Sequence, residues 1–522
     1  MKKGGTIYDA ELVILNETMG TESALPDRGS AIDYAMWNSV NERLAEADPA
    51  TGDRTVPQLA ESWETNEDCT KWTFHLRKGI PWQDGWGEFT AEDVKYSIKL
   101  GGSEWSVNSD QAYLAATDVV IEDHYTVVVN FAAPDWAGQV LLCAHMPIVC
   151  KKYCETVGLE EANLKPIGTG PYKLHSRRAG EFIKFEAVPD HWRKTAEFKH
   201  FTVRCVPEVS TRMAMLKTGE ADFAPFPADK VPELRELGIR TIVSPVGHCY
   251  WVVFPGPPMM PTHTEYKPKP WWDDPAKPEA WEKALKVRKA MSLAIDREQI
   301  NKSLLSGMGT LAVAPYIHSQ QITVGADPSW KPDPYAPDEA RGLLAEAGYP
   351  DGFDITVVIL THSGRPGLPQ LSEMVATYWE QIGLNVTRVP MDFATLRPLM
   401  VARKLEDIAW VFGNPFHSVP SYLISKQAIN AGPHIFTCND AWMEEWAPRT
   451  HSELDAEKRV ELTRQVVQHM RDNQYTIPLV ESPYIFGVSE RVGERSMILS
   501  NRFPTQPQEY ITLSDSAKAK LK

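Results

Sequence analysis

Apolar and polar positions alternate with period two between Lys71 and Arg77. Trp72, Phe74 and Leu76 fall on one face, and Lys71, Thr73, His75 and Arg77 on the other, the signature of a half-buried strand. Lys78-Gly79 and Gln83-Asp84-Gly85 supply turn chemistry. Thr90 to Asp93 then has the form of a capping box, with Ala91, Val94 and Ile98 as an apolar stripe and Gly101-Gly102 as the stop. The stretch Leu59–Ile98 therefore predicts strand, tight turns and capped helix.

The same reading extends along the chain. Strands are predicted over 6–15, Asp123–Phe131, Phe182–Val188, His200–Val206 and Cys249–Phe254. Val209–Asp222 predicts a short helix capped by Ser210 and stopped at Gly219. Pro255–Pro278 holds eight prolines with Trp271 and Trp272, which excludes helix or central strand and predicts an extended surface loop. Trp281–Gly307 predicts two helices broken at Asp296, which caps the second. Helix at Ala336–Gly348, strand at Phe353–Leu360 and helix at Gln370–Gly383 follow in alternation, an α/β pattern. Asp455–Asn473 is the last long helix, and Ile477–Val488 the last long strand.

Composition narrows the class. At 522 residues the chain exceeds one ordinary core, and 43% hydrophobic with 24% charged residues is the make-up of a globular protein. A net charge of −15 speaks against a nucleic-acid surface. No run reaches the ~18 apolar residues of a membrane span. The start, Met1 to Thr6, lacks the apolar core of a signal peptide, as expected of a mature exported form. Seven cysteines (Cys69, Cys143, Cys150, Cys154, Cys205, Cys249, Cys438) show no paired CxxC spacing. Buried thiols, or one local disulfide beside free thiols, are expected, with no metal site and no cofactor. There is no GKS or GKT phosphate loop, no HExxH and no GxSxG elbow. His248 and Cys249 are neighbours in a predicted strand and point to opposite faces, so they make a poor nucleophile–base pair. Nothing in the sequence asks for catalysis.

Several blocks carry a family resemblance. "LAESWE", "WTFHLRKGI" and "FTAEDVKYSI", then "GTGPY" within Pro166–Leu174, "VRKAMSLAIDREQI" and "ARGLLAEAGYPDGF", resemble in order and spacing the peptide/nickel-type (family 5) extracytoplasmic solute-binding proteins of ABC importers. The resemblance implies an α/β, periplasmic-binding-protein-like fold: two lobes joined by two hinge strands, the first lobe with an accessory subdomain. The implied divisions are 1–40, 165–255 and 478–522 for the first lobe, 41–164 for the accessory part, and 256–477 for the second lobe. It also implies an exported, periplasmic or cell-surface monomer. Its lobes close about a short peptide or similar small polar solute and deliver it to a membrane permease.

The implied site is a cleft fed by loops from both lobes. In peptide-binding relatives the segment matching Asp407–Leu423 looks like "GW.ADYPDP", whose first aspartate pairs with the peptide's ammonium. Here Trp410, Phe412, Asn414, Phe416 and His417 stand there, with no carboxylate between Asp407 and Leu423. A buried ammonium without its counter-charge costs about 3–5 kcal/mol, against about 8 kcal/mol for a whole micromolar complex. Glu17 and Glu481 are the expected substitutes, and Tyr484 shares a face of the last strand with Phe486. The alternative ligand is an oligosaccharide, opine-like or other non-peptide solute stacked on aromatics such as Trp410. A cleft enzyme on the same scaffold is the reading from another class.

Overall fold

The computed structural model describes residues 6–29, 31–46, 56–108, 111–136, 138, 146–254, 268–274, 276–362, 365, 367–401, 405, 408–415, 424, 440–493 and 508–521. The chain divides into two compact units. The first comprises Met1–Phe226, Lys230–Ser244 and Ile485–Lys522, and the second Pro227–Asp229 and Pro245–Tyr484. Two long strands carry the chain across the division: Arg240–Val253 and Thr476–Val488.

In the first unit, strand Tyr8–Asn16 lies parallel to Phe198–Cys205, which pairs antiparallel with Phe182–Ala187, which in turn pairs with Tyr172–Arg178. Alternation does the sorting: Ile183, Phe185 and Ala187 turn inward, and Phe185 stacks on Phe201 with centroids 4.3 Å apart. The "GTGPY" turn needs its glycines for close approach rather than for positive φ. A Cβ at Gly168 would lie 1.8 Å from the Val40 carbonyl oxygen, and one at Gly170 2.2 Å from that of Ser39.

A second core in this unit forms around a four-stranded sheet, Ala60–Thr65, Lys71–Leu76, Thr126–Asn130 and Asp118–Asp123. Trp72, Phe74 and Leu76 are buried as their alternation predicts, and helix Ala91–Gly101 packs with Val94 and Ile98 inward. The Asp93 carboxylate accepts from the Thr90 N–H at 3.0 Å, the reach-back half of the capping box. The single strand predicted over Asp123–Phe131 is instead the end of a hairpin. Asp123 Oδ1 accepts from the Tyr125 N–H at 2.7 Å, so the first residues of that stretch turn before the strand begins.

Two other boundaries differ from the sequence reading. Helix Val209–Thr218 is capped at Glu208, so Ser210 lies inside its first turn; Gly219 ends it at φ 78° as expected. The strand expected from Cys249 already begins at Arg240. Pro245 and Gly247 break the propensity signal there, but Gly247 serves a contact. A Cβ on it would lie 1.9 Å from the Ser482 carbonyl oxygen.

In the second unit, strands Asp354–Thr361, Asn385–Asp392 and Ile408–Pro415 run parallel in one direction, and Ile408–Pro415 pairs antiparallel with the first crossing strand. Helices Pro278–Leu293, Arg297–Leu304, Pro337–Glu346 and Leu368–Gln381 belong to this unit. Asp296 caps the second of these, accepting from the Gln299 N–H at 2.8 Å. Of the proline-rich stretch, Trp271 and Trp272 are fully buried, and the Arg288 guanidinium sits over the rings of Trp272 and Trp281 at 5.1 and 4.6 Å. Those tryptophans are core; residues 255–267 lie outside the described residues.

Candidate functional site

Parallel strands gather their C-terminal ends on one edge of a sheet, and in open α/β sheets the crevice beyond that edge is where ligands bind. In the second unit those ends are Thr361, Asp392 and Pro415. The residues around them are aromatic and cationic. The Phe412 ring lies 5.6 Å from Phe393 and 6.2 Å from His362, and the Arg365 guanidinium sits 4.2 Å above it. Trp251 joins from the neighbouring strand at 6.4 Å and contacts Tyr316 at 4.9 Å. Asp392, the carboxylate at this edge, accepts from the Thr395 N–H at 2.7 Å as a helix cap.

The opposite face of the same strands carries a second group. His248 and Tyr250 lie 5.6 Å apart, and the Tyr484 ring approaches His248 at 5.0 Å with its hydroxyl 3.4 Å from Nε2. Gly413 makes room, since a Cβ there would lie 2.5 Å from the Tyr250 ring. This group joins both crossing strands inside the second unit.

The residues singled out from sequence are not all placed as expected. Trp410 lies in an interior strand between Val253 and Val358, not in a loop, and is 1% exposed. Phe412 and Asn414 follow on the same face at 4% and 7% exposure. Phe416 and His417 lie outside the described residues.

Glu481 is already fully engaged. Its Oε1 accepts from the Ser319 N–H at 2.7 Å, its Oε2 from the Ser319 hydroxyl at 3.1 Å, and His318 Nδ1 lies 3.6 Å away. Glu17 pairs with the buried Arg212 at 2.9 Å, and that guanidinium also donates to the carbonyls of Val206, Pro207 and Pro225. Burial raises the Glu17 carboxyl above its usual range, with Arg212 opposing. Both carboxylates therefore already have partners inside their own units, which speaks against either as the replacement for the missing aspartate. The sequence reading missed His362, Arg365, Phe393 and Tyr250, and weighed His248 only as a base beside Cys249. A signal for the first three existed: each follows, within a few residues, the end of a strand in the βα alternation.

Among the described residues no group of three or more His, Cys, Asp or Glu gathers as metal ligands, and Cys69, Cys150, Cys154, Cys205 and Cys249 are free thiols. Burial pushes the Cys150 thiol up to about 11 and Cys154 to about 12, so neither is a reactive thiolate. No helix among these residues is long and apolar enough to cross a membrane.

Comparison with known proteins identifies the family and the fold. Residues 54–427 match the family described as "Bacterial extracellular solute-binding proteins, family 5 Middle". Heme-binding protein A of Haemophilus influenzae is 24% identical over 512 residues, covering 91% of this chain and 87% of that protein. The glutathione-binding protein GsiB of Salmonella choleraesuis is 31% identical over 382 residues, covering 70% of this chain and 66% of GsiB. The oligopeptide-binding protein AppA of Bacillus subtilis, solved with a nonapeptide, superposes with TM-score 0.80 at 19% identity over 98% of this chain and all of AppA, a likeness of fold. With a family match across most of its length and a shared fold end to end, the chain belongs to the family 5 bacterial extracellular solute-binding proteins.

Proposed function

We propose that this protein works outside the cytoplasm as a binding protein, not an enzyme. It takes up a short peptide or similar small polar solute, closes its two lobes about it and hands it to an ABC permease. The observation that carries the reading of the ligand is Arg365 held over Phe412, beside His362 and Phe393, at the C-terminal ends of the parallel strands. A fixed guanidinium on an aromatic floor suits a ligand carboxylate next to a flat or apolar group. Support comes also from the relatives: GsiB is named for glutathione, a short peptide with free carboxylates, and AppA was solved with a peptide. The ligand's ammonium is then solvated or held by backbone carbonyls, because the usual aspartate is missing and both Glu17 and Glu481 are paired. Of the residues proposed from sequence, Phe412, Asn414, Phe416 and His417 stay in the proposed site, while Tyr484 packs on the opposite face against His248.

The sugar reading leaned on Trp410 as a stacking platform, and a tryptophan 1% exposed offers no face. An opine-like acid remains compatible with Arg365. Titration calorimetry of Arg365→Met against a short acidic peptide tests the proposal. Loss of affinity by tenfold or more is expected (about 1.4 kcal/mol), and unchanged affinity would remove Arg365 from the site.

A further inference from the structure

The second unit contains a small cavity, about 10 Å³, whose lining includes Asp333, Arg471, Gln474 and Thr476 among alanine, valine and proline residues. That is roughly the space a single water molecule needs. Three polar atoms of its lining are buried without a protein partner: Arg471 Nε, Gln474 Oε1 and Thr476 Oγ1. The other ends of two of these side chains are committed. Gln474 Nε2 donates to Asp333 Oδ2 at 3.0 Å, which fixes its amide so that Oε1 is the end left over, and Arg471 Nη2 donates to the Lys331 carbonyl at 3.1 Å.

We infer that this cavity is a built site for one structural water, bridging the end of helix Ala456–Asp472 to the start of the second crossing strand. The chemistry of the three atoms selects water. Arg471 Nε–H can only donate and Gln474 Oε1 can only accept, while the Thr476 hydroxyl does either. One water satisfies all three at once, accepting from Arg471 and donating to Gln474. A buried water typically makes about three such bonds.

A cation is the competing occupant, since Asp333, Gln474 and Thr476 present oxygens. Two guanidiniums speak against it. Arg471 lines the cavity and Arg297 Nη2 lies 3.8 Å from Asp333 Oδ2, so the carboxylate of the lining already faces two guanidiniums. Ser292 Oγ donates to the same Asp333 oxygen at 2.5 Å. Gln474 itself holds φ 47°, a left-handed conformation for a side-chain-bearing residue.

A crystal structure of the full protein, at a resolution where ordered waters are resolved, tests this directly. One density peak within hydrogen-bond distance of Arg471 Nε, Gln474 Oε1 and Thr476 Oγ1 is expected. An empty cavity, or direct bonding among those three side chains, would overturn the inference, as would a peak with the short oxygen distances of a bound cation. Thr476→Val keeps the shape and the β-branch but removes one partner. It should lose the peak and lower the melting temperature by about 1–4 °C. A peak retained with unchanged melting would count against the assignment. Should that variant fail to fold, the density in the parent protein decides alone.

Discussion

At the residue scale the structure shows which of the expected site charges serve the fold. Glu481 looks from sequence like a spare carboxylate, but it ties Ser319 to the strand through two hydrogen bonds. Glu481→Ala removes both acceptors and leaves the buried Ser319 N–H without its partner. A stability loss of about 1–3 kcal/mol in chemical denaturation is expected, with ligand affinity changed less than threefold. A variant of full stability that no longer binds would instead make Glu481 a ligand residue. The sequence could not show this, because Ser319 and Glu481 are far apart in the chain. Trp410 illustrates the same limit. Its place in the segment that departs from the peptide-binding pattern suggested a cleft loop, whereas register places it between two strands, and register is a long-range property.

At the scale of elements, strand and helix types were legible wherever periodicity and caps agreed. The block Lys71–Ile98 folds as its pattern predicts because each signal there is local: alternation, two turns and a cap. Misreadings arose where a tertiary contact overrides propensity. Gly247 interrupts a strand pattern, yet the strand runs through it, since only a residue without a Cβ lets the backbone pass Ser482. Gly247→Ala should therefore cost more than 2 kcal/mol, roughly the scale of an overpacked core site, seen as a lowered denaturation midpoint. An alanine variant as stable as the parent would show that the strands separate without strain. The candidate site was only half legible for a related reason. His362, Arg365 and Phe393 sit just past the ends of two parallel strands and Phe412 within a third, and topology, not motif, brings them together.

At the scale of the molecule, buried charge sets the acid limit of the first unit. His191 Nε2–H donates to the Thr169 carbonyl at 2.8 Å and lies 3.9 Å from Glu42, which pairs with Arg193 at 2.9 Å. Burial pushes the His191 pKa down to about 4, against an ordinary value near 6.5 in the unfolded chain. The unfolded state then binds the proton first. Stability is full above pH ~6.5 and falls as pH drops toward 4, by about 3 kcal/mol from this group. Glu42 works in the opposite sense, since burial raises its pKa and the native state takes up its proton earlier. The parent should lose about 3 kcal/mol more than His191→Gln between those pH values, by denaturant titration. Equal slopes would show that the histidine is not held neutral.

The central claim is that this family member captures its solute by an acidic or flat group rather than by a terminal ammonium. A thermal-shift comparison of one short acidic peptide, with its N-terminus free and with it acetylated, tests that most directly. At 100 times its dissociation constant each form should add about 2.7 kcal/mol, so both should raise the transition by similar amounts. A shift by the free-amine peptide alone would show an ammonium clamp in place of the missing aspartate, and would contradict the account.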